Sequence, residues 1–184
     1  MLFAVSGVKN SGKTTLTVRL VRALTEAGFR VATIKHDGHD FSADLPGTDS
    51  YRHKQAGAVS TIIYSHAKLL MVRDREELSF SEICAFAPDC DFLILEGGKS
   101  SPLPKIEVVR AGISVRPVCD PATLLAIATD LPLTHPTVPV LALDDLPGLV
   151  KIILHWKQNQ EEEPSCCLLY TSQMRSQTYR PKMK

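Results

Sequence analysis

The stretch Gly7-Val8-Lys9-Asn10-Ser11-Gly12-Lys13-Thr14, followed by Thr15, fits the phosphate-loop pattern G-x-x-x-x-G-K-[ST] with every fixed position present. That pattern needs a strand before it and a helix after it. Leu2-Phe3-Ala4-Val5 supplies the apolar run in front, and a helical repeat follows. The glycines let the backbone curl so that successive N–H groups turn inward, and the helix directs its positive end to the same place. In such a loop Lys13 reaches the β- and γ-phosphates, while the Thr14 hydroxyl helps to hold Mg²⁺. Gly7, Asn10, Ser11, Gly12, Lys13, Thr14 and Thr15 are therefore the expected nucleotide-binding residues, with Lys13 also serving the chemistry. Glycine and serine punctuate ordinary strand-to-helix turns too, but the full motif in this setting points to a nucleoside triphosphate.

Beyond the loop, Leu16, Leu20 and Leu24 recur every fourth residue with Val21 beside them, so one face of a helix is apolar. Gly28 is placed to end it. Residues 29–34 supply a second strand, and a parallel pair joined through a helix calls for a right-handed crossover and an α/β sheet. Residues 35–53 are unusually polar and leave the carboxyl end of that strand, where open α/β sheets bind ligands. Within them Thr48 or Asp49 is placed to cap a helix running to Gln55. Residues 58–64 and 68–73 read as an antiparallel hairpin around Ser65-His66, whose edge another copy of the chain would cover. Ser79-Phe80-Ser81-Glu82 fits a capping box for a short helix. Further strands are expected at 106–110, 124–128 and 138–143, and a closing helix after Asp144 or Asp145.

The second pillar is Asp91-Phe92-Leu93-Ile94-Leu95-Glu96-Gly97-Gly98. Four successive apolar residues describe a strand buried on both faces, with Glu96 at its exit. An acid there acts on Mg²⁺ directly or through water, or orients an attacking water. Glu96 is thus expected as a catalytic and metal-site residue, although Asp is the commoner metal contact. Asp37 or Asp44, from the polar segment, is the expected companion of Thr14 around Mg²⁺. His36, His39 and His53 match no zinc spacing with known mechanics, and shaping a pocket is the alternative reading. Lys99, Lys105 and Arg110 are either contacts for an anionic second ligand or solvated charges. Asp130, after a predicted strand, is placed to accept from guanine N1–H and the exocyclic amine, or simply opens a turn.

The remaining bounds are negative. The 184 residues fit about one domain of the usual 100–200. The formal charge is +1, with no basic excess of the kind that marks a nucleic-acid surface. No apolar run reaches the roughly 18 residues of a membrane span. Five cysteines, an odd number without a C-x-x-C pair, fit a reducing cytoplasm better than a disulfide framework. Residues 1–157 are expected to form the nucleotide-binding domain and 158–184 a disordered or loosely attached tail.

Taken together, the loop, Lys35-His36-Asp37-Gly38-His39 with Pro46-Gly47-Thr48-Asp49-Ser50-Tyr51-Arg52-His53, and Leu95-Glu96-Gly97-Gly98-Lys99 resemble the molybdopterin-guanine dinucleotide biosynthesis protein B family. The resemblance implies a phosphate-loop NTPase fold, three-layered, with a mostly parallel central sheet and an added antiparallel hairpin. It also implies a homodimer that binds GTP with Mg²⁺, hydrolyses it weakly, and assists a molybdenum cofactor guanylyltransferase, with molybdopterin itself a further candidate ligand. Two other readings share the loop: a GTPase metallochaperone for nickel enzymes and a small-molecule kinase.

Overall fold

The computed structural model describes residues 1–37, 41, 43–74 and 79–162. They divide into two compact units, one built by Met1–His36 together with the chain from Cys84 onward, the other by Asp37–Ile83.

The first unit is a six-stranded parallel sheet. Its strands are β1 (Leu2–Ser6), β2 (Val31–Lys35), β5 (Phe92–Glu96), β6 (Lys105–Val109), β7 (Leu124–Thr129) and β8 (Val140–Ala142), in the order β2-β5-β1-β6-β7-β8. Because side chains alternate along a strand, the sheet sorts its residues onto two faces. Phe3, Val5, Phe92, Ile94, Ile106, Val108, Ala126 and Ala128 form one core, with Leu16, Leu20 and Leu24 of helix α1 (Lys13–Glu26) and Leu149 and Ile153 of the last helix, α4 (Leu146–Glu162). The leucine stripe read from the sequence is therefore the face that packs. Phe3 meets both Phe92 and Trp156 edge-on, at ring-centroid distances of 6.3 and 6.2 Å, which ties α4 to the central strand. Val109, Ile127 and Val138 form a second cluster. β5 and β6 are buried along their whole length, as expected for central parallel strands.

The second unit holds α2 (Asp49–Gln55) and the hairpin of β3 (Ser60–Tyr64) and β4 (Leu69–Arg73), paired antiparallel from Ser60↔Arg73 to Tyr64↔Leu69. Thr48 caps α2, its hydroxyl accepting from Tyr51 N at 3.3 Å. The capping box also forms at α3 (Phe80–Ala85): Ser79 Oγ accepts from Glu82 N, and Glu82 accepts from Ser79 N.

Where element ends differ from the sequence reading, a competing hydrogen bond explains it. β2 starts at Val31 rather than Phe29 because Phe29 N closes the end of α1 on Leu24 O. β3 starts at Ser60 because Ala58 N closes α2 on His53 O. β8 starts at Val140 because Pro139 has no N–H to give the ladder. Of the two aspartates, Asp145 starts α4, accepting from Gly148 N. That helix runs on to Glu162, so a boundary after 157 falls inside it. Residues 163–184 of the expected tail lie outside the described residues. No described helix is long and apolar enough to cross a membrane.

Candidate nucleotide site

β1 ends at Ser6, and the loop that follows is shaped by three residues of positive φ: Gly7 (139°), Asn10 (63°) and Gly12 (100°). Gly7 also passes so close to β6 that a Cβ there would lie 2.6 Å from Val108 O and 2.8 Å from Ser11 Oγ. No other residue fits. Gly12 is the N-cap of α1 in a left-handed conformation with no side-chain cap, and the first turn carries no acid. The first amides of α1 are thus left for an outside acceptor. Ser11 Oγ is fully buried inside the loop with no hydrogen-bond partner among the described residues. The Lys13 ammonium lies over the loop, donating to Val8 O at 2.7 Å. A glycine-built cradle with uncapped amides, a buried orphan hydroxyl and a cation has the chemistry of a polyphosphate site. Thr15, next along α1, is exposed.

Glu96 reaches this loop from β5. The Thr14 hydroxyl donates to Glu96 Oε1 at 2.5 Å, across 82 residues of sequence. Glu96 is a buried residue, 8% exposed. A threonine hydroxyl beside a carboxylate at the mouth of such a loop is a pair of oxygen ligands suited to Mg²⁺. Gly97, directly behind Glu96, is held by Ser6, whose hydroxyl donates to Gly97 O at 2.5 Å. His36 extends the same junction: its N–H donates to Glu96 O at 3.0 Å, and a Cβ on Gly97 would meet the His36 side chain at 3.4 Å. The phosphate loop, His36 at the start of the polar segment, and the Glu96-Gly97 exit therefore meet at the ends of β1, β2 and β5.

The other expected residues are distributed differently. Asp37 and Asp44 belong to the second unit, where Asp44 accepts from the hydroxyls of Thr48 and Ser50, both at 3.0 Å. His53 lies in α2. His39 lies outside the described residues. Among the described residues no three His, Cys, Asp or Glu side chains gather into a metal-holding group. Asp130 directly follows β7 and accepts from Ala111 N at 2.7 Å, tying together the loops that leave β6 and β7.

Lys105 fits neither role considered for it. It is completely buried, and its ammonium donates to the carbonyls of Lys99 and Ser101. It thereby clamps the segment that carries the chain from Glu96 to β6. Two positions on, Glu107 is also buried and accepts from Val118 N (2.7 Å) and Cys119 N (3.0 Å). Sequence reasoning missed both as fold residues. The available signal was two opposite charges spaced i, i+2 inside an apolar strand. Above Glu107, burial and then the nearby carboxylate push the Cys119 thiol up to about 12.

Comparison with known proteins identifies the family. The family model for molybdopterin guanine dinucleotide synthesis protein B (MobB) matches residues 2–130. The molybdopterin-guanine dinucleotide biosynthesis adapter protein of Escherichia coli is 35% identical over 167 residues, covering 86% of this chain and 94% of that protein. Its counterpart in Haemophilus influenzae is 30% identical over 159 residues, covering 84% and 88%. Among solved structures, Bacillus subtilis MobB superposes with a TM-score of 0.66 at 26% identity, over 84% of this chain and 96% of that one. A MobB homolog from Bacillus stearothermophilus gives 0.61 at 25% identity, over 86% and 98%. With the whole phosphate loop and the Glu96 exit inside the matched span, the chain belongs to the MobB family.

Proposed function

We propose that this chain is a GTP-binding adapter protein in molybdopterin guanine dinucleotide biosynthesis, a weak GTPase that assists the guanylyltransferase rather than making the dinucleotide itself. The observation that carries the nucleotide part is the Thr14–Glu96 contact on the glycine-built loop. The adapter part rests on family membership and on the names of its relatives. Guanine, rather than adenine, also rests on the family.

In this reading the loop amides and Lys13 would bind the phosphates and neutralise them, and Thr14 and Glu96 would hold Mg²⁺. Bound Mg²⁺ would draw charge from the terminal phosphate. Glu96, at the mouth of the loop, is placed to accept a proton from an attacking water. Ser6, through its hydroxyl on Gly97 O, and His36, through its backbone N–H on Glu96 O, keep Glu96 and Gly97 in place. Asp130 remains the candidate for reading guanine, and Asp37 and Asp44 the further candidates for the metal. The partners are a second copy of the chain, the transferase and, as a candidate, molybdopterin, all in the cytoplasm.

The test is calorimetric titration with GTP and ATP, each with and without Mg²⁺. We expect Mg²⁺-dependent binding that favours GTP, abolished in Lys13→Ala, and retained in Glu96→Ala with hydrolysis reduced about a hundredfold. Equal affinity for the two nucleotides would remove guanine from the reading. Native affinity in Lys13→Ala would remove the site.

A further inference from the structure

Arg110 is the first residue after β6, and its guanidinium lies against the phosphate loop. A Cβ on Gly12 would be 3.4 Å from Arg110 Nη1, van der Waals contact, which puts the guanidinium beside the loop. The backbone behind this exposed side chain is anchored. Arg110 N donates to Ser114 Oγ at 3.3 Å, and Arg110 O accepts from Ile113 N and Ser114 N at 3.1 and 2.9 Å. The next residue, Ala111, is held by Asp130. Among the described residues no carboxylate pairs with this guanidinium, whereas Arg30, Arg52, Lys54 and Lys157 each have one. A cation beside an anion cradle, on an anchored backbone and without a carboxylate partner among the described residues, is placed to receive its counter-charge from a ligand.

We propose that Arg110 contacts the phosphate chain of the bound nucleotide, at the end away from the metal; this rests on the nucleotide reading above. The sheet order supplies the direction. β5 and β6 flank β1 on opposite sides. Thr14 and Glu96 mark the metal-bridged phosphates on the β5 side, so a cation arriving from β6 meets the α/β-phosphate end, which GTP and GDP share. A planar guanidinium engages two phosphate oxygens at once, and a lysine ammonium does not.

The experiment titrates the full chain, native and as Arg110→Ala and Arg110→Lys, with GTP and with GDP, alongside a thermal melt of each. Arg110→Ala should weaken both nucleotides by roughly 10- to 100-fold, the range for a charge-assisted hydrogen bond. Arg110→Lys should recover part of that loss. If Arg110→Ala melts early, Arg110→Lys carries the comparison, with an intermediate loss expected for both ligands. Binding within about twofold of native in the variants, or a loss confined to GTP, would overturn the assignment. If the native chain binds neither nucleotide, the nucleotide reading itself falls, and this assignment with it.

Discussion

At the scale of single residues, the chain makes two different uses of buried charge. Glu96 sits beside Thr14 at a strand exit, a place where a carboxylate can meet a metal. Lys105 and Glu107 sit within β6 and spend their hydrogen bonds on loop backbone. Glu96 was legible because it closes an apolar run and precedes two glycines. Lys105 and Glu107 were not, because a charged residue in an isolated sequence reads as solvated unless its backbone partners, four to twelve residues away, are known. Cys119 shows what that burial does. Its thiol keeps its proton in the native chain up to a pH of about 12, while in the unfolded chain it ionises near the ordinary thiol value. Through the interval between those values the unfolded chain binds fewer protons, so stability falls as pH rises. Chemical denaturation at pH 8 and pH 11 should therefore show a steeper loss for the native chain than for Cys119→Ala. The difference in slope should be up to about 1.4 kcal/mol per pH unit. Identical slopes would mean the thiol is not withdrawn from water.

At the scale of elements, periodicity and caps carried the reading where hydrogen bonds are local. Helix α1 follows its leucine stripe, and Thr48 and Ser79 both cap as their sequence context requires. Strand ends were less legible, since the choice between closing a helix and opening a strand is settled by one N–H, as at Phe29 and Ala58. The hairpin was legible as a hairpin, but its surface was not. Ile62, Ile63, Tyr64, Leu69, Leu70 and Met71 are all 40% or more exposed, on a two-stranded sheet. A two-stranded ribbon is marginal by itself, and apolar residues at paired positions such as Ile62↔Met71 and Ile63↔Leu70 invite cover. If the second copy of the chain supplies that cover, Leu70→Glu should shift the sedimenting species from dimer to monomer. GTP affinity should stay within about threefold, because no phosphate-loop residue is touched. A dimer unaffected by Leu70→Glu, and by Ile63→Glu, would place the contact elsewhere.

At the scale of the whole chain, the α/β class followed from one strand–loop–helix–strand unit, because a parallel pair admits so few connections. The order of the remaining strands did not follow. Nothing in a run such as Phe92–Glu96 says that it will lie between β2 and β1, which precede it by more than fifty residues. That order has a consequence for synthesis. β1 is the first strand made, yet both its neighbours, β5 and β6, come from beyond residue 90. At usual translation rates the phosphate loop emerges roughly 5–20 s before anything exists to pair with its strand. The hairpin, whose contacts are local, is complete while β1 still waits. Nascent chains stalled with residues up to 85 exposed should show residues 1–36 as protease-sensitive, and chains stalled beyond 110 should show them protected. Early protection would mean that another contact shelters β1. The apolar hairpin is thus available to meet a neighbouring nascent chain before either phosphate-loop strand has found its partners.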